Sequence, residues 1–276
     1  MNEPILVVDG LSKHFAGRSV LRDISFTVRH AKTLGIVGES GSGKTTLVRC
    51  LLRAIDPDTG TIRFQGRTGS HNLEQLSAKD LRPLRRELQM VFQDPFASLN
   101  PRMTVAQMLE EPLIVHKLGD KSERRIKVTT MLERVQLDAS ALNRYPHAFS
   151  GGQRQRIGIA RALILEPSLV ICDESVAALD VSVQAQILDL LKALQVDMRL
   201  TYLFVAHDLS VVRHFCDDVL VLHDGAIVES GPVAETFTRP KHNYTKLLLS
   251  AVPSIDPDIK LAPLTRAELG LPEIEA

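Results

Sequence analysis

The stretch "LGIVGESGSGKTTLVRCLLR", Leu34–Arg53, decides the fold. It opens on a short apolar run of the kind that forms a strand buried on both faces, passes through a glycine-rich loop, and continues as a helical pattern from Lys44 to about Arg53. Gly38-Glu39-Ser40-Gly41-Ser42-Gly43-Lys44-Thr45 fits G-x-x-x-x-G-K-[ST] in the strand–loop–helix setting that the pattern needs. Glycines let successive backbone N–H groups converge on phosphate oxygens. Lys44 would reach β- and γ-phosphates, Thr45 would hold Mg²⁺, and Thr46 lies close enough for an α-phosphate. The flanking strand and helix set this reading above a Gly/Ser-rich surface turn.

Outward from this loop, "LVICD" (Leu169–Asp173) and "YLFVAH" (Tyr202–His207) repeat the buried-strand pattern, and helical patterns follow them over Val183 to about Met198 and Leu209 to Phe215. The alternation predicts an α/β fold, a P-loop NTPase core with a mostly parallel sheet whose ligand site lies at the carboxyl ends of the strands. "VLRDISFTV" predicts an antiparallel β layer. Between about Thr104 and Leu163 the strand signal disappears, so a helical subdomain, about 96–164, is expected as an insertion in a domain spanning 1–252. "PVAETFTRP" and "HNYTKLLLSAV" read as short closing helices. The 253–276 tail, rich in Pro and charge, is expected to be loosely held.

Composition excludes several classes. Thirty-three basic residues balance thirty-three acidic ones, so no global field favours nucleic acid or an anionic membrane surface, and no nucleic-acid partner is expected. The three cysteines, Cys50, Cys172 and Cys216, are too far apart for a disulfide framework or a CxxC metal site. "MNEPILVVDG" lacks the regions of a signal peptide, and no apolar run approaches the roughly 20 residues that span a bilayer. A soluble, cytoplasmic chain is expected, with any membrane association made through a partner.

Further candidates cluster at strand ends. "SLVICDES" delivers Asp173 and Glu174 to the end of a buried strand: Asp173 suits a Mg²⁺-bound water, and Glu174 suits the general base that polarises an attacking water. An Asp-Glu pair alone could equally cap a helix; behind a phosphate loop the catalytic reading prevails. His207, at the end of "YLFVAH", is placed to donate to a γ-phosphate, and Gln93, after the apolar run Leu88 to Phe92, offers an amide to Mg²⁺ or to the attacking water. A second anion-suited helix start appears at Ser150-Gly151-Gly152-Gln153 in "FSGGQRQRIGIARAL".

Taken in order, the glycine loop, Gln93, "SGGQ", "ICDE", "AALD" and "AHD" resemble the ATPase subunit of ATP-binding-cassette transporters along essentially the whole chain. The resemblance implies ATP and Mg²⁺ as ligands. It also implies that Ser150, Gly151, Gly152 and Gln153 form the family signature, which caps the ATP held by a second subunit, and that Asp180 meets the partner at the same interface. Two phosphate cradles in one chain thus serve two ATP molecules. Phe15, in "LSKHFAG", matches the aromatic position that stacks on adenine. "VFQDPFASLNPRMTV", "RYPHAFSGGQRQRIGIARAL" and "GPVAETFTRPKHNYTKLLLSAVP" look like the subfamily serving oligopeptide, dipeptide and nickel importers. The expected partners are a second ATPase subunit, two membrane permeases and an extracytoplasmic solute-binding protein, with this chain peripheral on the cytoplasmic face of the membrane. Ser175, Ala177 and the Ala31-Lys32 turn depart from the family pattern without removing a catalytic group. A soluble ATPase of the same fold, such as a carbon–phosphorus lyase-associated subunit, is the competing reading. "QDPFASLNPR" after Gln93 matches the importer pattern.

Overall fold

In the computed structural model, residues 3–94, 98–177, 179–251 and 263–271 are described. Six strands form the main sheet in the order β10 (Ala226–Pro232), β9 (Asp218–His223), β3 (Thr33–Val37), β8 (Thr201–Val205), β7 (Leu169–Asp173) and β6 (Leu88–Val91). All neighbours are parallel except the β9–β10 pair. Every residue of β3 and of β8 is buried. Adjacent residues of one strand enter different cores: Leu203 and Val205 face one apolar cluster, Tyr202 and Phe204 the other. This is why these segments are continuous apolar runs rather than alternating ones.

The first cluster joins the sheet to the helix α1 (Lys44–Leu51) and to an antiparallel layer ordered β2 (Arg18–Val28), β1 (Leu6–Phe15), β4 (Thr59–Gly66), β5 (Gly69–Asn72). The short helix α2 (Ala78–Leu84) buries Leu81 and Leu84 in the same cluster. The second cluster carries the opposite face of the sheet and the helical region: α3 (Val105–Val115), α4 (Lys121–Arg134) and α5 (Gly151–Leu163), with Leu109, Leu132 and Ile157 all fully buried. Each of these helices starts on a capping box, Thr104 with Gln107, Asp120 with Glu123, and Ser150 with Gln153, so their first turns are set by local sequence. Phe96 and Ala97, at the expected start of the helical insertion, lie outside the described residues.

After β7 the chain enters α6 (Val181–Met198), then β8, α7 (Leu209–Phe215), β9 and β10, and closes with α8 (Val233–Thr238) and α9 (Asn243–Ser250). α6 begins two residues before the apolar pattern starts at Val183, because Asp180 accepts from the Val183 N–H at 3.0 Å and caps the extra turn. Of the expected loose tail, residues 253–262 and 272–276 lie outside the described part, but 263–271 is held. Leu264 N–H donates to Ser250 Oγ at 2.9 Å and Asn243 Nδ2 to the Leu269 carbonyl at 2.9 Å, so this segment runs back along α9. Among the described residues no helix is long and apolar enough to cross a membrane.

One buried polar contact ties α6 to the sheet: the Tyr202 hydroxyl donates to the Leu191 carbonyl at 3.0 Å, with Tyr202 fully buried. Tyr202→Phe should therefore cost roughly 0.5–1.5 kcal/mol and lower Tm by about 1–5 °C, read by calorimetry, with ATP affinity unchanged.

Candidate active site

The loop between β3 and α1 is shaped from outside. A Cβ on Gly38 would lie 2.1 Å from the Leu222 carbonyl oxygen of β9, and one on Gly43, whose φ is 105°, would lie 2.8 Å from the Val20 carbonyl oxygen. Both positions exclude a side chain by space, and Gly43 also by conformation. In front of the loop opens a cavity of about 470 Å³ bounded by Val20, Ser40, Gly41, Gly43, Lys44, Thr45, Thr46, Glu174 and His207.

Lys44 is only 7% exposed, and its ammonium donates to the Gly38 carbonyl at 2.7 Å and the Glu39 carbonyl at 2.8 Å. Burial pushes its pKa down, and the negative fields of Glu174, Asp173 and Glu39 oppose that push. Ser42 Oγ is buried beside the loop with no protein partner. α1 begins without a side-chain cap, so the local sequence supplies no acceptor to its first amides.

The carboxylates arrive from β7. Asp173 is its last residue, and burial first, then the neighbouring Glu174 charge, raises its pKa, while Lys44 and Arg49 pull the other way. Glu174 has a left-handed backbone, φ 45°, and its N–H donates to the Val205 carbonyl at 3.0 Å. A non-glycine residue there is strained by of the order of 1–3 kcal/mol, a cost that collects at functional sites. The turn brings its carboxylate between two other strand ends. Gln93 Nε2, just beyond β6, donates to Glu174 Oε2 at 2.7 Å, and His207 Nδ1, beyond β8, lies 3.7 Å from Glu174 Oε1.

The donor set fits a magnesium ion that shares its coordination with a phosphate ligand. Among the described residues no group of three or more His, Cys, Asp or Glu could hold a metal. Mg²⁺ instead takes one or two carboxylates plus substrate oxygens and water. Asp173, a desolvated carboxylate, and the exposed Thr45 at the cavity supply those oxygen donors. The amide nitrogen of Gln93 is engaged by Glu174, which leaves the amide oxygen as the atom that could face a cation.

The second cradle is assembled separately. Ser150 caps α5, accepting from the Gln153 N–H at 3.3 Å, and Gln153 Oε1 accepts from the Ser150 N–H at 3.1 Å. The Gln153 amide is thus occupied within its own helix. None of Ser150–Gln153 bounds the loop cavity; the two glycines face Leu179 and Val183, before and at the start of α6. A Cβ on Gly152 would stand 2.6 Å from Val183 Cγ1, whereas one on Gly151 would meet only Leu179 Cδ2 at 3.7 Å. Asp180 lies in this second group, its carboxylate pulled below the usual range by the Val183 N–H and the Ser182 hydroxyl. Ala178 of "AALD" lies outside the described residues. Phe15 ends β1 at the hairpin tip, 46% exposed, with Lys13 Nζ 5.4 Å from its ring centroid, an accessible ring rather than a core residue.

Three contributors escape a reading of the sequence. Val20 bounds the cavity, and Tyr244 and Arg266 touch Glu39 from the C-terminal end of the chain. Of these, Val20 sits in the strand pattern "VLRDISFTV" and Tyr244 in the closing-helix pattern, while Arg266 sits in neither.

The Asp173 environment generates a sign-definite expectation. Because its folded-state pKa is raised, the folded chain binds the proton more tightly than the unfolded one. The penalty is therefore full above the folded pKa and vanishes below the unfolded value. Asp173→Asn should raise Tm at pH 7 in the absence of nucleotide and metal, with the gain shrinking as pH falls through the carboxylate range. An equal or lower Tm at pH 7 would contradict the desolvation account.

Residues 21–177 match the family described as ABC transporter, and residues 228–274 match the C-terminal region of oligopeptide/dipeptide transporters. The chain is 50% identical over 261 residues to a putative peptide import ATP-binding protein of Brucella ovis, covering 93% of this chain and 81% of that one. It is 48% identical to an oligopeptide transport ATP-binding protein of Bacillus subtilis, covering 94% and 85%. Among solved structures, a dimeric ATP-binding cassette in a post-hydrolysis state with ADP and Pi superposes with a TM-score of 0.73 at 28% identity, covering 83% of this chain and 98% of that one. The chain belongs to the ABC transporter family, as an ABC-type ATPase carrying the C-terminal region of the oligopeptide/dipeptide branch.

Proposed function

We propose that ATP hydrolysis by this chain powers uptake of peptides, or of a related small solute such as nickel, through two partner permeases fed by an extracytoplasmic solute-binding protein. The observation that carries the transport reading is the match of residues 228–274 to the oligopeptide/dipeptide transporter C-terminal region, which weighs against a soluble ATPase of the same fold. The chain would act peripherally, on the cytoplasmic face of the membrane, beside a second identical or related ATPase subunit.

In this reading the loop amides of Gly38–Thr46 and the Lys44 ammonium hold the β- and γ-phosphates. Glu174 takes a proton from the water whose oxygen attacks the γ-phosphorus, as the bond to the bridging oxygen breaks to release ADP and phosphate. Its contacts with Gln93 and His207 support that role, since both orient the carboxylate at the mouth of the Lys44 cavity. His207 donates to the γ-phosphate, and Phe15 stacks on adenine. Asp173, Thr45 and the Gln93 amide oxygen would hold Mg²⁺, which supplies charge neutralisation to the phosphates. Ser150, the Gly151 and Gly152 amides and Asp180 serve the partner's ATP. Nucleotide binding favours the closed pair of subunits and phosphate loss favours opening. This difference in affinity between the two states is the only source of work on the permeases.

Glu174→Gln keeps the shape and the Gln93 contact but removes the base. Turnover in the assembled transporter should fall to below about a tenth of wild type, general-base catalysis being worth roughly 10²–10⁴-fold, while ATP binding survives. Retention of more activity than that would reassign the base.

Gly151→Asp tests the second cradle, and the room beside Gly151 means that the variant can fold. The isolated chain should bind ATP as wild type does. The assembled transporter should lose ATPase activity, because the new carboxylate meets a γ-phosphate in a poorly hydrated interface. Loss of ATP binding by the isolated chain would show instead that both cradles hold one nucleotide.

A further inference from the structure

Glu39, the second residue of the phosphate loop, is held at three atoms. Its carbonyl accepts from Lys44 Nζ at 2.8 Å, its N–H donates to the Tyr244 hydroxyl oxygen at 2.8 Å, and its carboxylate receives Arg266 at 2.6 Å. The last two partners come from the C-terminal region, 205 and 227 residues further along the chain.

Neither contact is incidental to packing. Tyr244 is fully buried in the first turn of α9, its ring stacked on His223 at the end of β9 with centroids 3.8 Å apart. A buried tyrosine needs a partner for its oxygen, and this one finds a loop amide. The approach to α9 is anchored as well: the Glu229 carboxylate on β10 accepts from the N–H groups of Lys241 and His242 at 2.9 and 3.0 Å. Arg266 lies on the segment that runs back along α9, and its side chain is 16% exposed. A carboxylate at Glu39 would repel phosphates bound to the adjacent amides, and the guanidinium offsets that charge.

We propose that Tyr244 and Arg266 are positioning residues of the nucleotide site: the C-terminal region forms the outer wall of the phosphate loop and fixes the Glu39 peptide in the orientation that presents its neighbours to phosphate. Tyr244 holds the Gly38–Glu39 peptide from behind, so the Gly38 carbonyl, which lies opposite that N–H in the same peptide plane, stays turned toward Lys44 at 2.7 Å. Arg266 neutralises the one acidic side chain in the loop. The loop is thereby preorganised, and ordering that would otherwise be charged against ATP binding is done in advance. This inference rests on the loop being the ATP site.

The experiment titrates the full-length chain with mant-ATP and magnesium, with thermal unfolding of each variant alongside. Tyr244→Phe and Arg266→Ala should each weaken the Kd by roughly three- to tenfold, the effect of one lost hydrogen bond. Arg266→Lys should recover most of the loss. In a Glu39→Gln background, Arg266→Ala should add nothing, because both act through one carboxylate; a merely structural arginine would give additive losses. In the assembled transporter, KM for ATP should rise with kcat retained. Affinities within about twofold of wild type for both variants, with Lys44→Ala losing binding, would overturn the inference and leave the nucleotide site standing. Unchanged affinity in Lys44→Ala as well would remove the nucleotide site and this inference together. Should Tyr244→Phe fail to fold, the Arg266 and Glu39 series decides alone.

Discussion

A lysine ammonium kept charged in a nearly closed position is the constraint on which the rest of this site depends. Burial of Lys44 works against its charge, and the surroundings answer with two backbone carbonyls and three carboxylates. The carbonyls of Gly38 and Glu39 can turn toward the ammonium only if the loop follows a path that Gly38 and Gly43 alone permit against Leu222 and Val20. Two of the carboxylates, Asp173 and Glu174, come from the end of β7 across the cavity, and the third, Glu39, belongs to the loop itself. Asp173 is in turn desolvated there and is held toward its charged form by Lys44 and Arg49. Lys44 and Asp173 therefore favour each other's charge, whereas burial and the neighbouring Glu174 disfavour the charge on Asp173.

That interdependence reaches the third and fourth strand ends. Glu174 takes a left-handed backbone, and the strained turn aims its carboxylate at Gln93 and His207 at the edge of the loop cavity. Four segments far apart in the chain meet because parallel strands in one sheet deliver all their carboxyl ends to one edge. The helical region α3–α5 contributes nothing to this edge. It shares the second apolar cluster with the back of the same sheet, where Val91 of β6 belongs to that cluster.

Much of this was legible in the sequence. β3, β7 and β8 are apolar runs because both their faces are covered, and a glycine loop after such a strand leaves little choice of fold. The helical insertion was legible from the loss of strand signal between about Thr104 and Leu163; the capping boxes that start α3, α4 and α5 are a local signal that this reading did not use. Gln93, Asp173, Glu174 and His207 were found because each directly follows an apolar run. Val20, Tyr244 and Arg266 were not, and the physical reason is separation. Val20 reaches the cavity through the pairing of a different sheet, and Arg266 reaches Glu39 from a stretch with neither helical nor strand periodicity. Proline and charge in the tail suggested loose attachment, yet 263–271 is held by a guanidinium–carboxylate pair, by hydrogen bonds along α9 and by the packing of Leu271 against the second apolar cluster.

The two glycine-rich helix starts look alike as strings and differ as chemistry. α1 begins at a left-handed glycine with no side-chain cap, so nothing in its own sequence competes with an anion for its first amides. α5 begins on a complete capping box that spends the Gln153 side chain on the Ser150 backbone and the Ser150 oxygen lone pair on the Gln153 amide. The first helix has no side-chain acceptor for its first amides, whereas the second satisfies the Gln153 amide itself and leaves those of Gly151 and Gly152 to an outside acceptor. Gly152 is small because Val183 leaves no room for a Cβ, a reason that belongs to this chain alone. Gly151 has room: among the described residues a Cβ there would meet only Leu179 Cδ2, at 3.7 Å. In the proposed pair of subunits, that open side of Gly151 is where the partner's nucleotide would lie.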